Sequence, residues 1–467
     1  MEKIGEKLLA EGIITSKELE KALERQRRHG GRLGTNLVAL GYLKEHDLKC
    51  LFKRTPPAPK SVEETGLEHY FIADLITKHI IFMGGFTLFD VAAATKLPLS
   101  VVNQVLETMR RDKLVEVKGA TSYATDTYTF KVTELGQKRG TELMEICRYT
   151  GPAPVVLDDY QLMVELQTIK SIEIHEEDVK NAFSHLILKE NLLKRIGPAV
   201  MSGKAIFVYG PSGNGKTAIA EAIGGLPSDF VYVPYSLVVG GQIISVYDPV
   251  NHIPVAPEAD PASVDQRWVL VRRPVVMTGG ELTLKMLDLD FNHISKYYEA
   301  SLQMKANNGI FIADDFGRQQ TDPQKILNRW IVPLDRQFDF MNLHTGMKFV
   351  IPFDMQVEFS TNLNPSKLVD EAFLRRIPYK IKIDPPTWEE YQKIFKMECE
   401  NHKIEFNQEA FDHLWGNYYE RLNIPLNGCH PRDILKQIEV ISRYYQQPAL
   451  FTRQNIDFAC KNYFVEN

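Results

Sequence analysis

The chain has 467 residues, 44% of them hydrophobic and 25% charged, with a net charge of −5. One core cannot organise that length, so about three or four domains are expected, and the acidic balance gives no overall basic field for nucleic acid. The five cysteines (Cys50, Cys147, Cys399, Cys429, Cys460) are scattered and form no C-x-x-C, which excludes a disulfide frame and a zinc finger and points to a reducing compartment. The start, Met1 to Lys7, lacks the apolar core of a signal peptide, and no run of about 18 apolar residues occurs. A cytoplasmic protein without membrane insertion is expected.

Residues 1–54 repeat themselves. Ile4-Gly5-x-x-Leu8-x-x-x-Gly12 recurs 29 residues on as Leu33-Gly34-x-x-Leu37-x-x-x-Gly41, and Leu19 and Leu48 match at the same offset. Each copy reads as a short helix, a glycine turn and a second helix, the first of these second helices opening at Thr15-Ser16. Such a pair buries its apolar faces against each other. The pattern Arg-Leu-Gly-x-x-Leu-x-x-x-Gly resembles the MshEN domain, the N-terminal domain of type II secretion and type IV pilus ATPases. The resemblance implies a cyclic di-GMP site involving Gln26, Arg32, Leu33 and Gly34, or a helical docking module on the same scaffold. The region holds 12 Lys/Arg against 8 Asp/Glu, a local +4 that suits an anionic ligand. Lys3 stands where the second copy has Arg32, and it lacks the bidentate fork.

Residues 55–67 form a proline-rich linker, read as stiff and extended. Residues 68–148 look like a winged helix. Thr87 to Ala94 suggests one helix, and Ser100 is placed as the cap of a second from Val101 to about Arg111. Leu114 to Val117 and Tyr128 to Val132 alternate like wing strands, and Thr133-x-x-Gly136 opens a last helix. Asn103, Gln104, Arg110 and Arg111 would face DNA if the second helix reads a groove. Glu107 on the same helix favours a protein-docking or spacer role instead.

Residues 149–385 carry the strongest signal. Gly210-Pro211-Ser212-Gly213-Asn214-Gly215-Lys216-Thr217 fits G-x-x-x-x-G-K-[ST], the phosphate-binding P-loop. The apolar run Ala205 to Tyr209 before it reads as a buried strand, and Thr217 to Ile223 after it as a helix. Glycines let backbone N–H groups close on phosphate, and the helix terminus adds positive potential. Lys216 is placed on the β- and γ-phosphates of ATP, and Thr217 on Mg2+. Phe230 to Val233 reads as a second core strand, followed by an insertion from Pro234 to Asn308. Gly309 to Asp315 reads as a buried strand ending in two carboxylates. Asp314 is placed on the Mg2+ shell and Asp315 on the attacking water. Gln356 to Asn362 is the next strand, Asp370 to Arg376 a helix, and Tyr379 to Ile383 a further strand. Residues 386–467 form a helical lid, with Arg432 near the start of one of its helices.

This order resembles the AAA+ ATPases over about residues 165 to 467. The resemblance implies an α/β P-loop core, a parallel sheet with helices on both faces, beneath the lid. It further implies sensor 1 at Asn362, an arginine finger at Arg375 or Arg376, and sensor 2 at Arg432. A finger acts on a neighbour's nucleotide, so a homo-oligomeric ring is expected, a hexamer, working on a protein partner. Leu334 to Pro352 is placed as the hairpin of MoxR-like and helicase-like branches. Asp315 departs from the family's glutamate, which points to slow or switch-like hydrolysis. The secretion ATPases carry a different motor, so the chain joins their N-terminal module to another core.

Overall fold

The computed structural model describes residues 14–29, 36–37, 39–42, 55–120, 128–256, 260–368 and 371–464. Most of the N-terminal repeat, including Arg32, Leu33 and Gly34, lies outside the described residues. Within it, helix α1 (Ser16–His29) opens where expected. Thr15 and Glu18 cap it reciprocally, Thr15 N–H donating to Glu18 Oε2 at 2.7 Å.

Residues 55–60 carry no helix, Glu63–Thr65 form one 3-10 turn, and the segment is seated on the rest of the molecule. Pro57 bridges to Val264, Asp265 N–H donates to Pro56 O at 2.9 Å, and Ala58 N–H donates to Ser263 O at 3.1 Å. The Arg267 guanidinium, only 2% exposed, ion-pairs with Asp265 at 2.7 Å and donates to Thr65 O and Pro154 O.

Three helices, a hairpin and a fourth helix follow. These are α2 (His69–Ile80), α3 (Leu88–Thr95), α4 (Leu99–Arg111), strands β1 (Val115–Ala120) and β2 (Tyr128–Val132), and α5 (Glu134–Ile146). A Thr87–Asp90 capping box starts α3, and Thr133 caps α5 through Gly136 N–H. One sequence expectation fails here: Pro98, not Ser100, is the cap position of α4. Proline's fixed φ and missing N–H suit a helix start. Ser100 lies inside the first turn, its hydroxyl donating to Lys60 O.

A parallel five-stranded sheet holds the centre of the C-terminal half. In spatial order it runs Tyr379–Lys382, Ile206–Tyr209, Gln356–Thr361, Ile310–Ala313, Val275–Thr278. In chain order we number the remaining strands β3 (Val155–Val156), β4 (Ile206–Tyr209), β5 (Phe230–Pro234), β6 (Ser236–Val239), β7 (Gln242–Ser245), β8 (Trp268–Arg272) and β9 (Val275–Thr278). They continue with β10 (Asp290–Asn292), β11 (Tyr297–Glu299), β12 (Ile310–Ala313), β13 (Phe338–Asn342), β14 (Lys348–Pro352), β15 (Gln356–Thr361) and β16 (Tyr379–Lys382).

Helices cover both faces of that sheet. On one side Ile196, Ala199 and Val200 of the helix Glu190–Met201, and Ile219, Ala220 and Ile223 of the helix Lys216–Gly224, pack on Ile206, Val208, Ile310 and Ile312. On the other, Ile326, Leu327 and Trp330 of the helix Pro323–Arg336 pack on Phe207, Phe311 and Phe359. These side chains are almost wholly buried, and each Val, Ile, Leu and Phe among them is worth about 1.5–3 kcal/mol of transfer free energy.

The sequence reading placed the second core strand at β5, and that is corrected. β5 pairs only with β8, antiparallel and outside the parallel sheet. The edge place beside β12 belongs to β9, inside the stretch read as insertion. Both runs are short and apolar, so periodicity could not separate them. The insertion therefore ends before Val275. Its strands β6 and β7 join β10 and β11, which follow β9, and β3, which leaves the N-terminal helical unit, in a second sheet of order β10-β11-β7-β6-β3. Within Leu334 to Pro352, an antiparallel hairpin β13–β14 spans Phe338–Pro352, while Leu334 still belongs to the helix Pro323–Arg336. Helices Trp388–Asn401, Gln408–Leu414, His430–Tyr444 and Arg453–Tyr463 form the C-terminal cluster. No helix among the described residues is long and apolar enough to cross a membrane.

Candidate functional site

The carboxyl ends of β4, β15 and β12 meet at one place. There β4 runs into the loop 210–217 and the helix Lys216–Gly224. Gly210 takes φ +154 and lies against the Ile383 carbonyl, where a Cβ would collide. Gly213 takes φ +77, and a Cβ on it would come within 2.8 Å of Cys429 Sγ. The N–H groups of Ser212, Gly213, Asn214 and Gly215 take no acceptor among the described residues. With the first helical turn they form a row of donors facing one way, the arrangement that binds phosphate.

Lys216 is 8% exposed, and its Nζ donates to Pro211 O at 3.0 Å. Burial lowers its ammonium from the usual lysine value, partly opposed by Asp315 and Asp314. The Thr217 hydroxyl donates to Asp314 Oδ2 at 2.7 Å. An uncharged hydroxyl and a carboxylate beside a row of N–H groups are hard oxygen donors suited to Mg2+ held jointly with phosphates. Asp314 and Thr217 fit that ion, and the loop fits a nucleoside triphosphate.

Asp315 follows at φ +46, uncommon for a residue with a side chain, and is exposed. Gln319, missed from the sequence, holds this turn. Its amide reaches the carbonyls of Asp314, Asp315 and Gly279, and it accepts from Gly317 N–H at 2.7 Å. Only the tertiary turn reveals it.

Asn362 directly follows β15, half-buried, between the loop and Asp314. Gly210 N–H donates to Thr361 O and Phe316 N–H to Ser360 O, fixing that strand end on both sides. Arg432 sits in the first turn of the helix His430–Tyr444, whose leading residue Cys429 donates its N–H to Gly213 O at 2.8 Å. Arg432 itself is exposed and bonds Asp433 at 3.3 Å.

Arg375 and Arg376 stand apart from this group. They precede β16 and line a cavity of about 360 Å³ with Lys204, Ala205 and Met355, at the amino ends of the strands whose carboxyl ends carry the loop. Arg376 Nε pairs with Asp335 at 2.7 Å, while the Arg375 side chain is 80% exposed. Neither reaches this chain's own loop.

A cleft of about 500 Å³ adjoins Asn214. Ile187, Leu188, Ile383, Pro386 and Ile394 line its apolar part, and Gly428 its lid side. It can take a planar base beside the phosphate loop. The sequence reading assigned nothing to Ile187 and Leu188, whose only signal is an apolar pair ahead of the helix Glu190–Met201.

Glu358 lies on β15 in register with Ile206 and Ile312, on the face covered by the helix Lys216–Gly224. It is wholly buried, and neither oxygen meets a partner among the described residues. Burial, with Asp314 nearby, pushes its carboxyl up to about 8. Gln26, the remaining residue of the N-terminal set, lies half-buried on α1.

A family model described as "Domain of unknown function (DUF8689)" matches residues 387–462, the C-terminal helices. No curated protein matches the chain. Among solved structures, the chain is similar to NtrX from Brucella abortus in complex with ADP, at 14% identity and TM-score 0.37, over 60% of this chain and 56% of that one. The match thus spans little more than half of NtrX. It is also similar to Thermotoga maritima RuvB, a Holliday junction branch migration motor, at 14% identity and TM-score 0.33, over 62% and 70%.

Proposed function

We propose that the chain is an AAA+ ATPase that binds Mg2+-ATP at residues 210–217, hydrolyses it in a homo-oligomeric ring, and uses the cycle to remodel or move a protein partner. The observation that carries this reading is the bond from Thr217 to Asp314 across two strand ends, beside a loop of unpaired N–H groups. Mg2+ would supply charge neutralisation for the phosphates when bound. The loop N–H groups and Lys216 hold the phosphates, and Thr217 and Asp314 hold the ion. Ile187, Leu188 and Ile383 exclude water from the base. Asp315 orients the attacking water and accepts its proton, and Asn362 fixes the γ-phosphate from the neighbouring strand end. Arg432 reaches the phosphates from the lid.

The position of Arg375 and Arg376 supports the ring reading. Charge at the opposite end of the sheet can stabilise only a neighbour's transition state. Steady-state hydrolysis with sedimentation in ATPγS tests both parts. ATP-dependent assembly with turnover supports the reading, and a monomer that neither binds nor hydrolyses ATP refutes it.

We read the unit α2 to α5 as a winged helix that recruits or relays rather than a DNA reader. On α4, Arg110 is already paired with Glu107 at 3.0 Å, which reduces the charge free for phosphate. The N-terminal repeat is proposed as a cyclic di-GMP sensor or docking module, with Gln26, Arg32, Leu33 and Gly34 as its contacts. Calorimetry with that ligand separates the two.

A further inference from the structure

The lid turn Asn427–Cys429 grips the glycine-rich loop itself. Cys429 N–H donates to Gly213 O at 2.8 Å, and Gly428 N–H to Asn214 Oδ1 at 3.0 Å. The Asn214 amide also reaches Asn427 Oδ1 at 3.5 Å and the carbonyls of Pro211 and Ser212 at 3.4 Å. Asn214 is only 8% exposed, so these partners satisfy it in place of water.

From the turn a polar chain runs into the lid core. Asn427 Nδ2 lies 3.3 Å from His430 Nε2, and His430 Nδ1 lies 2.9 Å from the Tyr419 hydroxyl. Tyr419 meets the Tyr391 hydroxyl at 2.5 Å, and both rings are buried. Burial lowers His430 to about 4, which keeps its ring neutral, so Nε2 accepts from the Asn427 amide while Nδ1–H donates to the Tyr419 oxygen. In a low-dielectric core such a chain is costly to break part-way, so it moves as a unit.

We propose that Asn214, Asn427, His430, Tyr419 and Tyr391 form a relay through which the lid reads the state of the phosphate loop. A phosphate on the loop N–H groups fixes the loop backbone, and with it the Asn214 amide. That amide sets the turn 427–429, and the chain behind it sets the packing of the lid helices. Coupling is reciprocal, so a lid held in place slows nucleotide departure. This rests on the nucleotide reading above and adds to it the residues that make lid position and occupancy one equilibrium.

The test is mant-ADP release from the full chain by stopped flow, in wild type, Asn427→Ala, Tyr419→Phe and a control, Ile438→Val. Ile438 is a fully buried lid residue outside the polar chain. Asn427→Ala and Tyr419→Phe should release mant-ADP at least about fivefold faster, the low end of ordinary coupling. Ile438→Val should lower the melting temperature yet release within about twofold of wild type, since its change is packing alone. Wild-type release rates in both relay variants would overturn the relay, as would equal acceleration by Ile438→Val. A wild-type chain that takes up no mant-ADP would instead sink the nucleotide reading, and the relay with it.

Discussion

The Thr217 hydroxyl and the Asp314 carboxylate, 97 residues apart in sequence, are joined by a 2.7 Å hydrogen bond. This bond closes the gap between the helix after β4 and the end of β12, where the proposed cation would sit. Asp314→Asn should cut hydrolysis by at least about a hundredfold, several kcal/mol of charge stabilisation. Thr217→Ala should keep nucleotide binding and shift the Mg2+ requirement upward. Lys216→Ala should abolish binding. Titrating Mg2+ in a coupled ATPase assay, with calorimetric nucleotide binding, checks all three. Normal turnover in Asp314→Asn would remove the site.

The two neighbouring arginines should separate. Arg375 is exposed and makes a long 4.0 Å pair with the nearby Glu371, whereas Arg376 is fastened to Asp335 at 2.7 Å. Arg375→Ala should lower turnover by about a thousandfold with nucleotide affinity intact, the range of a finger supplied in trans. Mixing it with Asp315→Asn should restore part of the activity, because a mixed ring contains sites that pair an intact Arg375 with an intact Asp315. Asp335→Asn should have a smaller effect. No rescue at any mixing ratio would place Arg375 outside the reaction.

Glu358 predicts a pH dependence of stability. Its folded value of about 8 lies above the ordinary carboxyl range, so between the two the folded chain binds a proton that the unfolded chain has lost. Its contribution is full at acid pH and is lost as pH rises towards about 8. Glu358→Gln should melt like wild type near pH 5 and at higher temperature than wild type near pH 9. Parallel melting curves across that range would show that the carboxyl is not held neutral.

Arg267 and Asp265 are both buried and bonded to each other. Arg267→Met leaves the carboxylate buried and unpaired, and should cost about 3–5 kcal/mol in urea unfolding. Replacing both, with Asp265→Leu added, should recover a large share of that loss. A single variant as stable as wild type would mean that the pair contributes nothing.

The phosphate loop and Asp314 were legible because their chemistry is written in consecutive residues. Gly210 to Thr217 specify their own backbone, and an apolar run before Asp314 specifies a strand end. The starts of α3 and α1 were legible for the same local reason. The edge strand was not. Val275–Thr278 and Phe230–Pro234 are equivalent as short apolar runs, and only pairing with β12 distinguishes them. Gln319 and the cleft at Ile187 are assembled by distant segments and carry no periodic signal. Residues 55–67 read as a spacer because proline content reports local stiffness and says nothing of Arg267, 202 residues beyond Thr65, which pins them.

That pinning has a mechanical meaning. A segment clamped by a buried guanidinium and bridged to Val264 has no slack to pay out. β3, which leaves the helical unit, lies in register beside β6, so tension applied from the N-terminal side loads that pairing along the strands, in shear. Load from the helical unit reaches this second sheet before it reaches the phosphate loop.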